Sequence, residues 1–148
     1  MASNWLFNNK EIEDDEIPQD AIGFLYKITH TPSSKFYYGR KMLKRVKVRQ
    51  AKGKKIREKV DSDWKEYWSS SPELTQFIQQ EGTENFKREI LMFVTTKACL
   101  VLGEEYILHV TGALFDSMCF NSNIRAKIYR KWFNKTPNFF NELKDIKL

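Results

Sequence analysis

The chain has 148 residues, the length of a single domain with one hydrophobic core. Its 25 Lys and Arg residues outnumber its 19 Asp and Glu residues, so the formal net charge is +6, the pI is near 9.3 and a polyanionic partner is favoured. No apolar run approaches the roughly 20 residues that cross a membrane, and the two cysteines lack metal-ligand spacing, so we expect a cytoplasmic protein that contacts no membrane and binds no zinc.

The first 21 residues combine the apolar triplet Trp5-Leu6-Phe7 with an acidic run, since residues 11–16 include five acids. This composition indicates either an acidic arm tethered to the domain, residues 1–21, or a solvated tail. In both cases the segment lies outside the domain.

A β-hairpin is predicted next. Residues 23–29 and 35–39 are rich in aromatic and β-branched side chains, and turn-forming residues separate them. Symmetric closure about Thr31 and Pro32 would place Tyr26 and Tyr37 opposite each other, with both phenols on one face of the sheet. Two phenols beside cationic side chains are suited to gripping a phosphate and taking a proton from water.

The densest positive charge follows the hairpin, because residues 40–59 hold eleven Lys or Arg and a single acid, Glu58. Few apolar residues anchor this run, so it favours a mobile loop across its middle over a helix interrupted near Gly53. Contact with phosphates is favoured over an ordinary solvated surface. The candidate nucleic-acid-binding residues here are Lys41, Lys44, Arg45, Lys47, Arg49, Lys52, Lys54, Lys55 and Arg57.

Two helices and a third strand are predicted after the basic run. Asp61-Ser62-Asp63 is suited to capping a helix near Trp64, and Ser71-Pro72 is a strong start for a second helix that stops at Gly82. Residues 86–94 alternate well enough to form a strand. The side chains expected on one side of that strand are Phe86, Ile90, Met92 and Val94.

A largely buried helix is predicted from Thr95 or Thr96 to about Val110, because apolar residues almost encircle it. Glu104 and Glu105 stand out there, since a buried carboxylate costs several kcal/mol unless it is paired, hydrated or bound to a metal. Helical periodicity does not choose between the two, and an ion pair remains the alternative to a metal site.

Several short motifs occur in one order along the chain. These are Gly23-Phe24-Leu25-Tyr26, Tyr37-Tyr38-Gly39, Tyr67-Trp68-Ser69-Ser70-Ser71, Glu104 and Cys119-Phe120-Asn121. Together they resemble the GIY-YIG nuclease family over roughly residues 22–124, and most closely its phage and intron-encoded members. The chain departs from that pattern in lacking a histidine in the serine block and a unique counterpart of the family's helical arginine.

The resemblance implies a small three-stranded, mainly antiparallel sheet flanked by helices, an α/β fold that the element order allows. It implies that Glu104, in better register with the Asn121 block than Glu105, holds Mg²⁺ or Mn²⁺. Tyr26 or a metal-bound hydroxide would activate the attacking water, and Tyr37 would orient the phosphate or assist the base. Arg40 would stabilise charge on the phosphate, with Arg45 as its rival, and Asn121 would contact the nucleic acid.

Tyr26 can act as a base near neutral pH only if cations or the metal stabilise its phenolate, because a free phenol has a pKa of about 10. Lys27, Arg40, Lys41, Lys44 and Arg45 are close enough in sequence to supply that stabilisation.

The resemblance ends before the C-terminal extension, residues 125–148. Arg125, Lys127, Arg130 and Lys131 are interleaved there with Ile128, Tyr129, Trp132 and Phe133. This pattern predicts a basic, aromatic helix that packs on the sheet or lies against a DNA backbone, and packing is slightly favoured.

The sequence thus predicts a metal-dependent DNA endonuclease, which would work in the host cytoplasm if it is encoded by a phage. The first alternative is a catalytically idle DNA-binding module on a nuclease-like scaffold, and the second is a small basic RNA-binding protein. The oligomeric state is left open.

Overall fold

The computed structural model describes residues 4–122 and 128–148. The strands, in chain order, are β1 (Trp5–Phe7), β2 (Lys10–Glu11), β3 (Gly23–His30), β4 (Phe36–Met42), β5 (Lys44–Ala51), β6 (Lys54–Asp61) and β7 (Phe86–Val94). The α-helices are α1 (Pro72–Glu81), α2 (Lys97–Val110) and α3 (Phe139–Lys144).

The α/β class is confirmed, but the sheet is larger than the predicted three strands. It has five strands in the order β2-β1-β7-β3-β4, and β5 with β6 forms a separate two-stranded ribbon. The antiparallel core of β4, β3 and β7 matches the prediction. The two additional strands come from the N-terminal segment, where β1 runs parallel to β7 and β2 pairs antiparallel with β1.

The N-terminal segment joins the core through Trp5, which is only 2% exposed. Its ring packs edge-on against Phe24 and Tyr26, with centroids 5.0 and 5.3 Å away, and its indole N–H donates to the Trp64 carbonyl at 2.7 Å. Burial of this apolar surface draws the segment onto the sheet edge despite its acidic charge. The division of the chain at residues 21/22 and 124/125 stays a prediction.

The β3–β4 hairpin places both tyrosines on one face, but not opposite each other. Tyr26 stands across from Gly39 and Tyr37 across from Ile28, and their ring centroids lie 6.2 Å apart. The predicted closure about Thr31 and Pro32 is wrong because Ser34, at φ 66°, extends the turn as far as Lys35. The register therefore shifts by two residues, which preserves the face of each side chain.

Strand β7 is confirmed, but its predicted apolar face is divided. A bulge in its pairing with β3 sets Tyr26 opposite Ile90 and Leu25 opposite Met92, so Leu91 is the extra residue. An extra residue reverses the alternation of side chains. Ile90 therefore packs with Phe24 and Tyr26 on one face of the sheet, while Val94 packs with Leu25 on the other.

The basic run forms neither the predicted loop nor a helix. Strands β5 and β6 pair over eight residues each without a slip, and Lys52 and Gly53 form the turn at φ 52° and 74°. Positive φ at both central residues is typical of the two-residue hairpin turn whose twist fits the strands. The β-branched residues that alternate with cations, Val46 and Val48, are the signal for extended structure.

Helix α1 begins and ends where predicted. The Ser71 hydroxyl accepts a hydrogen bond from the Leu74 amide at 3.4 Å, and Gly82 ends the helix at φ 86°. The helix expected to begin near Trp64 is only a turn. Residues 64–71 and α1 cover the Tyr26 face of the sheet, where Trp64 and Leu74 join the core.

Helix α2 covers the opposite face. Thr96 caps it by accepting from the Cys99 amide at 3.1 Å, as predicted. It lies close to β3, since a Cβ at Gly103 would overlap the Leu25 side chain. The buried residues of α2 lie on one face, and Val110 at its end is 58% exposed. The helix is therefore less buried than predicted.

The C-terminal segment packs on the α2 side through Phe139 and Leu143 of α3. Residues Arg130–Phe133 form a short 3₁₀ turn instead of the predicted basic helix, while Arg125 and Lys127 lie outside the described residues. Across residues 4–122 and 128–148, no helix has the length and apolar character needed to cross a bilayer.

Candidate active site

An open cavity of about 340 Å³ lies beside edge strand β4. Three other segments complete its wall: the start of α1, one side of α2 and the chain just beyond Cys119. Its lining residues are Tyr26, Tyr37, Arg40, Ser70, Ser71, Pro72, Glu104, Phe120, Asn121 and Ser122. The structure thus brings all four predicted catalytic residues and Asn121 to one place.

Tyr26 forms the floor of the cavity and is 1% exposed. Its ring lies over Gly39, where a Cβ would overlap the phenol, so this position of the Tyr37-Tyr38-Gly39 motif must lack a side chain. Burial raises the pKa of Tyr26 well above its ordinary value, and the nearby phenol of Tyr67, to which it is hydrogen bonded, acts in the same direction. Tyr26 is therefore a neutral hydrogen-bond donor at neutral pH.

Tyr37 is half-buried and lies nearer the mouth. Burial raises the pKa of its phenol, and Glu104 adds to that effect, but hydrogen bonds with the hydroxyls of Ser70 and Ser69 oppose it. The pKa of Tyr37 is still raised overall, but the serine block offsets part of the effect of burial, and no such offset acts on Tyr26.

The expected stabilisation of the Tyr26 phenolate by neighbouring lysines is not present. Lys27 lies on the other face of the sheet, with its ammonium 5.2 Å from the Phe36 ring centroid. Lys41 is bonded to Asp63 at 2.5 Å and Lys44 to Asp61 at 2.9 Å. Each lysine is occupied elsewhere, which agrees with the raised pKa of Tyr26.

Glu104 meets Arg40 across the cavity, with the Arg40 Nε 3.9 Å from the Glu104 Oε2. Burial raises the pKa of the Glu104 carboxyl, Arg40 lowers it and Glu105 raises it. Glu105 turns away toward His109, whose Nε2 is 3.8 Å from its carboxylate, and it does not line the cavity. The geometry thus separates the two glutamates that helical periodicity left equivalent.

Residues 5–142 match the family model described as "Putative endonuclease segE, GIY-YIG domain". The chain belongs to the GIY-YIG nuclease family. The match includes β1 and α3, so the resemblance drawn from residues 22–124 is confirmed and extends further at both ends. None of the curated proteins and none of the solved structures matches this chain.

Within this GIY-YIG domain, Arg40 and Arg45 lie in different places. Arg40 lines the Tyr26–Glu104 cavity, whereas Arg45 lines a separate depression beside Ala21, Met42 and Lys59. Only Arg40 is therefore positioned to reach a group bound between the tyrosines and Glu104.

A divalent cation fits the donor set at Glu104 if substrate and water supply the other ligands. The described residues contain no cluster of three or more His, Cys, Asp or Glu side chains. Mg²⁺ keeps several waters and takes one or two carboxylates together with substrate phosphates, and Mn²⁺ also prefers oxygen ligands. A single partly buried carboxylate at an open cavity meets that requirement.

Asn121 uses both ends of its side-chain amide to hold β4. Its Oδ1 accepts from the Tyr38 amide at 2.9 Å, and its Nδ2 donates to the Tyr38 carbonyl at 2.8 Å. These bonds fix the strand that carries Tyr37 and Arg40, so Asn121 supports the cavity wall. Its contact with nucleic acid stays a prediction.

The cations predicted to bind nucleic acid divide into paired and unpaired sets. Among the first, Lys41 and Lys44 bond Asp63 and Asp61, and the Arg49 Nε bonds Glu58 at 2.6 Å. The other cations of the predicted set are exposed and form no ion pair with any described residue. They are Arg45, Lys47, Lys52, Lys54, Lys55 and Arg57.

Arg88 was missed by the sequence reasoning although it supports the serine block. It is 2% exposed, its guanidinium lies 4.7 and 4.2 Å from the rings of Trp5 and Trp68, and it donates to the carbonyls of Lys65 and Tyr67. Burial lowers its pKa to about 10, so it stays charged at neutral pH. Strand alternation, which puts residue 88 on the Phe86 and Ile90 face, could have identified it.

Proposed function

We propose that this GIY-YIG domain is a metal-dependent DNA endonuclease of the homing or phage type that hydrolyses phosphodiester bonds. The observation that carries the proposal is the cavity in which Tyr37, Arg40 and Glu104 converge. These side chains offer a group for proton transfer, a fixed cation and a carboxylate, which are the parts that phosphodiester hydrolysis requires.

Two features of the cavity favour a bound phosphate. The guanidinium of Arg40 is 3.9 Å from Glu104, longer than a tight ion pair, so its planar fork is free to engage phosphate oxygens. The N-terminal end of α1, at Ser71 and Pro72, borders the same cavity and contributes the partial positive charge of a helix start.

Burial raises the pKa of both phenols, so either can receive a proton from the attacking water only when a bound cation stabilises its phenolate, and Tyr37 is the better placed of the two. The hydroxyls of Ser69 and Ser70 favour its phenolate, whereas burial and the Tyr67 phenol keep Tyr26 protonated. Tyr26 then acts as a donor that orients the water or a phosphate oxygen. The resemblance implies the opposite emphasis, with Tyr26 activating the water and Tyr37 orienting the phosphate or assisting the base.

Glu104 would hold Mg²⁺ or Mn²⁺, and such an ion supplies Lewis-acid stabilisation of the developing charge when it is bound. Without an ion, the Glu104 carboxylate is disfavoured by burial, which is consistent with a site prepared for a positive charge. Arg40 supplies part of that charge permanently.

Incubation of supercoiled plasmid with the protein, with Mg²⁺ or with excess EDTA, tests the proposal. We expect nicked or linear DNA with Mg²⁺ only, and intact plasmid when Glu104→Ala, purified in parallel, replaces the parent. The matched variant excludes a contaminating nuclease. A mobility shift without cleavage under any divalent cation would support the idle DNA-binding module instead.

A further inference from the structure

The two faces of the β5–β6 ribbon differ in composition. The pairing register places Val46 with Lys59, Val48 with Arg57 and Gln50 with Lys55 on one face, which we term the valine face. The opposite face carries Arg45, Lys47, Arg49, Ile56, Glu58 and Val60.

The valine face is the more exposed of the two. Val46 and Val48 are 57% and 53% exposed, although both are apolar. On the opposite face, Ile56, Glu58 and Val60 are half-buried, and the Arg49–Glu58 pair covers the ribbon. More than half of the surface of each valine is thus left uncovered by the described part of the fold and is free for a partner.

Charge identifies the chemistry of that partner. Three cations, Lys55, Arg57 and Lys59, flank the valines, and the one acid on this face, Asp61, lies at the base of the ribbon and is bonded to Lys44. An apolar centre with a cationic margin and no free acid complements a polyanion that also presents apolar groups.

We propose that the ribbon enters the major groove of duplex DNA with its valine face toward the base edges, and that it gives the enzyme a sequence preference beside its cut. The proposal rests on the proposed function for the identity of the substrate. The major groove admits a two-stranded β-ribbon and presents thymine methyl groups for apolar contact. Arg57 is suited to guanine and Gln50 to adenine in the same groove.

The ribbon's length limits where the preference lies. Its strands have eight residues each, so the ribbon spans about 26 Å at about 3.3 Å per residue. Base pairs are about 3.4 Å apart, so the reading distance is at most about 8 base pairs from the ribbon base. That base follows Arg40 by four residues, which puts the read sequence close to the cleaved bond. RNA duplexes are excluded as targets because their major groove is too deep and narrow to read.

The test is selection of randomised DNA duplexes by the full-length protein in EDTA, followed by sequencing of the bound fraction. We expect the parent to enrich a short motif. The double variant Val46→Ser, Val48→Ser and the single variant Arg57→Ala should each reduce discrimination between selected and random duplexes by at least about tenfold. The matched control Lys47→Ala, on the opposite face, should weaken binding to both duplexes by the same factor, as removal of a phosphate-binding cation does.

Two controls test which groove the ribbon enters and whether the variant ribbon stays folded. Methylation of guanine N7 in the selected motif should block binding by the parent, because N7 lies in the major groove. An unchanged salt dependence would show that the double variant keeps an intact ribbon. If its salt dependence changes, the result for Arg57→Ala alone tests the inference. Absence of a motif in the parent, retention of the motif by both valine-face variants, or interference only from adenine N3 would each overturn the inference.

Cleavage is scored separately on plasmid, so the two proposals fail independently. A selected motif without cleavage would retain the ribbon inference and remove the enzymatic function. Cleavage without a selected motif would retain the enzymatic function and refute the ribbon inference.

Discussion

The cavity at β4 and the β5–β6 ribbon are consecutive in the chain but are held in different ways. Tyr26 and Tyr37 are fixed by packing, by the serine block and by Arg88 behind it. The ribbon's strands bond each other, and its cations are exposed. A two-stranded hairpin is marginally stable alone, and the positive charges on this one repel each other.

The difference indicates a division of labour. Proton transfer and charge stabilisation depend on distances, so they need side chains that the core immobilises. Attraction to a phosphate backbone depends on the number of charges near it and tolerates movement. Substitutions in the cavity should therefore change the rate of cleavage, and substitutions of the ribbon lysines should change affinity and its salt dependence.

The largest effect is expected in the cavity, for Glu104→Ala. Single-turnover cleavage in Mg²⁺ should fall at least about a thousandfold, about 4 kcal/mol of transition-state stabilisation, while DNA affinity in EDTA stays within a few-fold. The reason is that Glu104 is the carboxylate on the cavity wall. Glu105→Ala, one residue along the same helix but directed to His109, is the matched control and should cleave normally. The reverse result would assign the role to Glu105, and an effect of neither would refute the nuclease mechanism.

The second-largest effect is expected in the ribbon, and the cavity is left unchanged by the variant. Removal of four exposed cations should flatten the dependence of log affinity on log salt by about 2.7, at about 0.9 for each of the three lysines that no longer neutralises a phosphate, since Arg57 is assigned to a base. The variant combines Lys52→Ala, Lys54→Ala, Lys55→Ala and Arg57→Ala.

The control for this experiment changes the net charge equally, but at sites outside the ribbon. It combines Lys10→Ala, Lys65→Ala, Lys87→Ala and Lys144→Ala. Its slope, measured by fluorescence anisotropy over the same salt series, should stay near the parent's. Equal flattening in both variants would mean that net charge rather than the ribbon controls binding.

The cavity was easier to predict from sequence than the ribbon, and the reason is physical. Its residues lie in short motifs with strong local rules: Gly39 lies under Tyr26, Ser71 caps α1, and Thr96 caps α2. The family resemblance then connected motifs that are far apart in the chain. Neither source specifies what surrounds a side chain in the fold, so the raised pKa of Tyr26 was not anticipated.

The misses involve long-range pairing or conflicting local signals. Strand β1 pairs with β7, which lies some eighty residues further along the chain, and no local pattern in Trp5-Leu6-Phe7 predicts that pairing. In the ribbon segment, the dense charge favours a loop and outweighs the alternation at Val46 and Val48 that indicates a strand. The hairpin register depended on positive φ at Ser34, a conformation that serine adopts only occasionally.

A smaller effect is expected behind the cavity, at Arg88. Arg88→Lys keeps a charge but removes the planar group between Trp5 and Trp68 and one of the two hydrogen bonds to carbonyls, so we expect a decrease of about 1–3 kcal/mol in the free energy of unfolding. The neighbouring Lys87→Met, on an exposed side chain of the same strand, should change it by less than about 0.5 kcal/mol. Urea unfolding measures both.

Arg88→Lys also tests whether the serine block is supported from behind. If it is, the single-turnover rate should fall at temperatures where the variant is fully folded, with little change in affinity. Stability equal to the parent's would show that the carbonyls of Lys65 and Tyr67 do not depend on this guanidinium.

The smallest effect is expected when arginine is replaced by lysine once in the cavity and once in the ribbon. Arg40 lies in the cavity and Arg45 on the ribbon, five positions apart. Lysine preserves the charge and loses the planar fork, so Arg40→Lys should keep DNA affinity yet lower the single-turnover rate at least about tenfold, about 1.4 kcal/mol of transition-state stabilisation. Arg45→Lys should cut at the parent's rate, because Arg45 lies outside the cavity and on the ribbon face opposite the valines, where it contributes charge. If Arg45→Lys is impaired and Arg40→Lys is not, the catalytic cation belongs to the ribbon, and the ribbon must close over the cavity when DNA binds.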